Sequence, residues 1–81
     1  MNKENNIKIL FFGILSEETG KSEEEISFSG SLTELLVLLK QKYPSINNHQ
    51  FITAVNQDIS LQSKTLSGGD EIALLPPFTG G

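Results

Sequence analysis

The stretch SLTELLVLLKQKYP, Ser31 to Pro44, constrains the fold of this chain more than any other. Ser31 followed three positions later by Glu34 is a capping box, in which each side chain satisfies the other's backbone N–H in the first turn of a helix. Leu32, Leu35, Leu36, Leu39 and Tyr43 recur at helical spacing and form one apolar stripe. Val37 and Leu38 are expected to broaden it. Lys40 and Lys42 suit the negative end of the helix dipole. Pro44 ends the helix, because the residue before a proline is pushed out of helical geometry. A helix with one apolar face must be laid against something, and the rest of the chain offers strands.

IKILFFG, Ile7 to Gly13, alternates Ile7, Ile9 and Phe11 with Lys8, Leu10 and Phe12, so one face meets a core and the other still carries apolar groups. The second face is either partly covered or offered to a partner. EEISFSG supplies a second strand with Ile26 and Phe28 on one face. The two strands are expected to pair as a hairpin across ILSEETGK, a short helical turn ended by Gly20. In FITAVNQDISL, Ile52, Ala54 and Asn56 alternate with Thr53 and Val55, and NQD turns the chain into a short strand around Ile59 and Leu61. In LSGGDEIALLP, a turn at Gly68, Gly69 and Asp70 leads into a last strand, Glu71 to Leu75, with Ile72 and Leu74 on one face. The order is strand, strand, helix, strand, short strand, strand. That is an α+β domain, a mixed sheet of about five strands on one main helix. With the first and last strands side by side in the centre, they run parallel, which is the β-grasp arrangement. A split βαβ fold would need a second full helix. Residues 1–75 make the one domain, with residues 1–6 expected to be loose, and residues 76–81 form a tail.

Composition narrows the function by exclusion. The chain has 81 residues, 37% of them hydrophobic, enough for one small core. Net charge is −4 and all six basic residues are lysines, which argues against a nucleic-acid partner, since phosphate binding needs a concentrated basic face. No run approaches the roughly 20 apolar residues of a membrane span. MNKENNIKIL has asparagines where a signal peptide needs an apolar block, so a cytoplasmic location and no membrane contact are expected. There is no cysteine, hence no disulfide, thiol nucleophile or persulfide carrier. The one histidine, His49 in NNHQ, reads as a solvated loop residue, and no metal site is expected. The acidic run SEEE, Ser22 to Glu25, with Glu17 and Glu18, reads as a solvated loop, the alternative being a docking patch for a basic partner. NQD lacks the ligands of a calcium loop, and Gly68-Gly69 lacks a phosphate-loop lysine.

What remains is the end of the chain, LLPPFTGG. Pro76 and Pro77 have no amide hydrogen and cannot continue a central strand. Together they favour extended polyproline geometry and aim the chain outward. Residues 76–81 can reach roughly 20 Å at about 3.3–3.6 Å each, and the tail is expected to be mobile. Thr79, Gly80 and Gly81 are slim enough to enter a narrow channel. A carboxylate is inert until activated, for example by adenylation. An activated glycine carbonyl is then open to attack, giving either a thiocarboxylate that carries sulfur or an amide to a lysine. Without cysteine, the terminal carboxylate is the available sulfur handle.

In order along the chain, IKILFFG, SLTELLVLL…YP, ITAVNQ, LSGGDEIALLPP and the closing GG resemble the small subunit of molybdopterin synthase, the MoaD family of ubiquitin-like sulfur carriers. The resemblance runs from Ile7 to Gly81, and its most specific pieces are AVNQ, Ala54 to Gln57, and GDEIALLPPFTGG, Gly69 to Gly81. A diglycine end alone is shared with thiamine-pathway carriers and ubiquitin, so carriage of sulfur for thiazole or tungsten-cofactor synthesis, or a protein-modifier role, are the alternatives. The resemblance implies a ubiquitin-like β-grasp fold and no permanently bound cofactor. It implies that an E1-like adenylyltransferase activates Gly81 with ATP, and that sulfur from a donor such as a cysteine desulfurase then replaces one terminal oxygen. The thiocarboxylate would give its sulfur to cyclic pyranopterin monophosphate inside a large catalytic subunit, in a heterotetramer. The catalytic side chains would lie mostly on that subunit, and this chain would be its sulfur-donating partner.

Matched to the family motif, Gly81 carries the acyl-adenylate and thiocarboxylate, and Gly80 and Thr79 give it access. Phe12, Leu75, Pro76, Pro77 and Phe78 are the partner-binding candidates, with core packing an equal alternative for Phe12 and Leu75. Two departures stand out. Phe78 occupies a position where a smaller residue such as valine is common in the family. ILSEETG has Ser16 and Glu17 where family members often place an arginine.

Overall fold

The computed structural model describes residues 5–59 and 64–77. Strand β1, Asn6–Phe11, runs up the middle of a five-stranded sheet. It is followed by the short helix α1, Ile14–Thr19, which closes on Gly20 in the left-handed conformation. Strand β2, Glu23–Ser27, returns antiparallel to β1, with Ile7 opposite Ile26. The hairpin across a helical turn is therefore present as expected.

Helix α2, Leu32–Lys42, begins and ends where its signals lie. The Ser31 hydroxyl accepts the Glu34 N–H at 3.2 Å, and the Glu34 carboxylate accepts the Ser31 N–H at 2.8 Å. Tyr43 leaves helical geometry ahead of Pro44. Leu32, Leu35, Leu36 and Leu39 are buried, whereas Val37 is 52% and Leu38 39% exposed. The stripe is thus narrower than the sequence suggests. At about 100° per residue, Val37 and Leu38 rotate past the line of contact with the sheet. Pro44–Asn48 continues as a single 3-10 segment that drops Ile46 into the core. Proline suits its first position because its missing N–H would have no partner there.

Two two-residue strands, β3 at Gly30–Ser31 and β6 at Thr65–Leu66, form a separate ladder at the start of α2. Strands that short leave no periodicity in a sequence. Strand β4, Ile52–Val55, turns through Asn56 and Gln57 into β5, Asp58–Ile59. Both turn residues have positive φ, 52° and 74°, as a tight hairpin between twisted strands requires. Asn56 therefore belongs to the turn and not to the strand. Leu61, placed with Ile59 by the sequence, lies outside the described residues.

The last strand, β7, Glu71–Leu75, lies parallel to β1, with Ile9 opposite Ile72 and Phe11 opposite Leu74. It is antiparallel to β4 on its other side. The order β2-β1-β7-β4-β5 places the first and last strands in the centre, the ubiquitin-like β-grasp. Ile7, Ile9, Phe11, Ile72, Leu74 and Val55 face the α2 leucines, and Leu15 and Ile46 close the ends of this layer. Each such side chain stabilises the fold by about 1.5–3 kcal/mol relative to exposure. Two of the residues expected to be loose, Asn5 and Asn6, are held in place. Asn6 is in β1, and the Asn5 carbonyl accepts the Phe28 N–H at 2.8 Å. No helix among the described residues is long and apolar enough to cross a membrane.

The acidic run follows the strand reading that begins at Glu24 and not the solvated-loop reading. Glu23, Glu24 and Glu25 form most of the edge strand β2, opposite Leu10, Ile9 and Lys8. Alternation sends Glu23 and Glu25 to solvent and turns Glu24 towards the end of α2. There its carboxylate accepts the Tyr43 hydroxyl at 2.5 Å and is paired with the Lys42 ammonium. Partial burial works against the charged form of Glu24, but the hydrogen bonds from Lys42 and Tyr43 outweigh it and hold the carboxyl below its usual range. Burial, then the Glu24 carboxylate, push the Tyr43 phenol up.

Candidate functional site

β1 and β7 each bury alternate residues against α2, so their remaining residues share the outer face of the sheet. Leu10 and Phe12 from β1 and its end, Glu71, Ala73 and Leu75 from β7, Ala54 from β4, and Gln57 and Ile59 around the β4–β5 turn line a shallow concavity of about 450 Å³. Phe12 is 43% exposed and Ile59 75%. Leu75 is half-buried and does not belong to the core cluster. Of the two readings open for Phe12 and Leu75, the structure puts both on the outer face, beside each other at the end where β7 finishes. The sequence reasoning did not single out Ala73 and Ile59. Ala73 could have been found by asking which β7 residues alternate with Ile72 and Leu74.

β7 ends at Leu75, and the ring of Pro76 lies against Gly13 at the start of α1. Pro77 lines a second groove, of about 470 Å³, on the other side of the sheet end, with Lys40 from α2 and Phe51 and Ile52 at the start of β4 among its walls. Phe78, Thr79, Gly80 and Gly81 lie outside the described residues, as does the question of the tail's mobility.

His49 departs from the expectation of a free loop residue. Its Nε2 is 2.6 Å from Glu18 Oε2, and both side chains are half-buried. The contact ties α1 to the segment before β4, and hydrogen bonding from His49, then Ser45, lowers the Glu18 carboxyl below its usual range. Helix α1 is what brings Glu18 to His49, and nothing local to NNHQ signals it. Among the described residues, no three His, Asp or Glu side chains converge as metal ligands.

AVNQ and the opening GDE of GDEIALLPPFTGG, the most specific motif pieces, meet at the far end of the sheet from the tail. Asn56 Nδ2 donates to Asp70 Oδ1 at 2.9 Å, and Asn56 Oδ1 accepts the Glu71 N–H at 3.0 Å. The Asn56 N–H donates to the Glu71 carbonyl at 2.7 Å, and the second Asp70 oxygen accepts the Ser67 N–H at 2.8 Å. One asparagine side chain thus acts as an extra rung between the β4–β5 turn and the start of β7. An asparagine tolerates the positive φ of that turn better than most residues.

The pattern of the ThiS family matches residues 9–81. The chain is 36% identical over 80 residues to a molybdopterin synthase sulfur carrier subunit of Mycobacterium tuberculosis, covering 93% of this chain and 96% of that one. The chain belongs to the ThiS family, among the molybdopterin synthase sulfur carrier subunits. A putative molybdopterin converting factor subunit 1 from Pyrococcus furiosus has the same fold, with a TM-score of 0.85 at 20% identity over 90% of this chain and 98% of that one. A chain in the complex of subunits 1 and 2 of the molybdopterin-converting factor from Helicobacter pylori is 28% identical, with a TM-score of 0.71, over 94% of this chain and 99% of that one. For this family member, the outer face and the double proline are adjoining features at one end of the sheet.

Proposed function

We propose that this chain is the sulfur-donating subunit of a molybdopterin synthase. The observation that carries the reading is the junction at Leu75. There an apolar outer face, with Phe12 and Leu75 at its edge, adjoins a double proline that leads to the Gly80-Gly81 terminus of the sequence. The face suits a protein partner because it is contiguous, apolar and concave, and the tail beyond it is thin. The partner in this reading is a large catalytic subunit in a heterotetramer. The Helicobacter pylori relative comes from a complex of subunits 1 and 2 of its converting factor.

The chemistry is that of the terminal carboxylate. An E1-like adenylyltransferase joins the Gly81 carboxylate to AMP with release of pyrophosphate. A sulfur donor such as a cysteine desulfurase carries sulfur as a persulfide, whose terminal sulfur displaces AMP to give an acyl disulfide; a thiol reductant then cleaves that S–S bond, leaving the thiocarboxylate. That sulfur passes to cyclic pyranopterin monophosphate in the partner's active site, towards the dithiolene. Gly80 and Thr79 keep the approach narrow, and Phe78 is the bulky contact at its base. ATP is consumed by the activating enzyme and is not held by this chain, and the setting is cytoplasmic.

Intact-mass analysis after incubation with the activating enzyme, ATP and a sulfur source tests the reading. The expected product has one oxygen of Gly81 replaced by sulfur, and it converts cyclic pyranopterin monophosphate when the large subunit is added. Absence of that product under activating conditions would falsify it. Gly81 found joined to lysines of other proteins would instead identify a protein modifier.

A further inference from the structure

The ladder between β1 and β7 stops from both sides at one point. Phe11 lies opposite Leu74, and the Phe12 N–H donates to the Leu74 carbonyl at 3.1 Å. The next rung of a parallel ladder would run from the amide of residue 76 to the Phe12 carbonyl. Residue 76 is proline and has no N–H to give. The Phe12 carbonyl is taken instead by the Leu15 N–H at 3.1 Å, in the first turn of α1. The Gly13 carbonyl is likewise taken by the Ser16 N–H at 3.0 Å and the Ser16 hydroxyl at 2.8 Å. No backbone rung is left on β1 to direct the chain beyond Leu75.

Packing takes over there. A Cβ on Gly13 would stand 2.8 Å from Pro76 Cγ, closer than side-chain carbons approach. Gly13 also holds φ 59° and ψ −133°, a region open only to a residue without a Cβ. The bare backbone of Gly13 is therefore a seat for the Pro76 ring. Around this pivot the chain passes from Leu75, on the outer face, to Pro77, in the groove on the other side of the sheet end.

We propose that Gly13 is a positioning residue for the C-terminal tail: by seating Pro76 it sets the direction in which the chain leaves β7 towards Gly81. Two consecutive prolines are stiff, so a direction imposed at Pro76 is carried past Pro77 and not lost at the first bond. The consequence for sulfur chemistry rests on the function proposed above, whereas the seat itself does not. Where a reacting group must reach a fixed centre, a displacement of about 1 Å can cost about 100-fold in rate.

The test is a cycle of Gly13→Ala, Pro76→Ala and the double variant in the full chain. Gly13→Ala is expected to fold, to bind the large subunit with affinity within about threefold of the parent, and to lose at least about tenfold in kcat for thiocarboxylate formation, with KM little changed. Adding Pro76→Ala removes the Cγ that the new methyl meets, and is expected to restore at least about threefold of that loss, a coupling that independent sites do not show. A parental kcat in Gly13→Ala, or a loss that Pro76→Ala does not relieve, overturns the proposal. If Gly13→Ala does not fold, Pro76→Ala alone decides: the seat predicts a lower kcat at unchanged stability, and a parental kcat overturns it. If the parent chain acquires no thiocarboxylate at all, the function is refuted instead. The seat is then decided by NMR of the free chain, where a nuclear Overhauser contact between Gly13 Hα and the Pro76 ring supports it and its absence overturns it.

Discussion

β7 is tied down at its first residue by side chains and released at its last by residues that lack the groups for tying. At the start, the Asn56 amide bonds to Asp70 and to the Glu71 backbone, and Asp70 in turn holds the Ser67 N–H. At the finish the β1 side offers one last bond, from the Phe12 N–H to the Leu74 carbonyl, Ile52 still pairs with Leu75 on the β4 side, and then Pro76 rests on Gly13. The two ends divide the work. Side-chain hydrogen bonds at the start make the strand a rigid base, and the missing N–H groups of Pro76 and Pro77 beyond the finish let the chain leave the sheet. The motif pieces AVNQ and GDE are thus structural, while the proposed reacting end consists of residues with little side-chain chemistry.

Four outcomes would break or sharpen this division. The largest effect is expected from one residue appended after Gly81. Thiocarboxylate formation should fall to background in the mass assay, while unfolding stability stays within about 0.5 kcal/mol of the parent. Next is Asn56→Ala at the other end. It removes two side-chain hydrogen bonds and puts alanine at positive φ, so about 2 kcal/mol of stability should go. In a thermal melt that is a fall of roughly 10 °C, and the tail of the folded fraction should remain chargeable with sulfur. If the charging rate drops in proportion to some stiffness lost at the base, the two ends are coupled and the division fails.

Phe12→Ala probes the surface beside the released end. Truncating an exposed aromatic in an interface should cost about 1.5 kcal/mol of affinity for the large subunit, roughly tenfold, in a calorimetric titration. The melt of the free chain should move little, since Phe12 is outside the core. The smallest effect is expected away from both ends, at Glu24. Its folded pKa lies below the ordinary carboxyl value, so its contribution to stability is present above that ordinary value and is lost as pH falls through the folded one. Glu24→Gln should therefore flatten part of the stability-against-pH curve below about pH 4.5 and leave the curve's shape near neutrality unchanged. An unchanged acid limb would show that Lys42 and Tyr43 do not hold the Glu24 charge in solution.

Much of the fold was legible because its signals are local. The capping box of Ser31 and Glu34, the leucine stripe, the stop at Pro44 and the bounds of Glu71–Leu75 all appear in the structure as read. The errors share a cause. SEEE drew two readings, a solvated loop for the run and a strand from Glu24 onward, because three glutamates seldom favour a strand. They form one here because β1 offers an edge to pair with and Tyr43 and Lys42 accept the one glutamate that faces inward. His49 looked solvated because its partner, Glu18, sits on a distant helix. Leu10 and Phe12 were legible as a second apolar face of β1, but not whether a layer would cover it. The two-residue strands β3 and β6 are too short for any period to show.

By itself the sequence determined where elements start and stop, that one helix packs on a sheet, and that two prolines follow the last strand. These follow from spacing, from capping geometry and from the missing N–H of proline, which act within a few residues. Tertiary structure alone decided which face of β1 is buried, which glutamate is held, and that Gly13 meets Pro76. Those outcomes join residues far apart in the sequence, from 18 positions for Glu24 and Lys42 to the span between Gly13 and Pro76. Closing so long a loop is repaid by the whole core at once and by no local contact, so no short stretch of sequence can announce them.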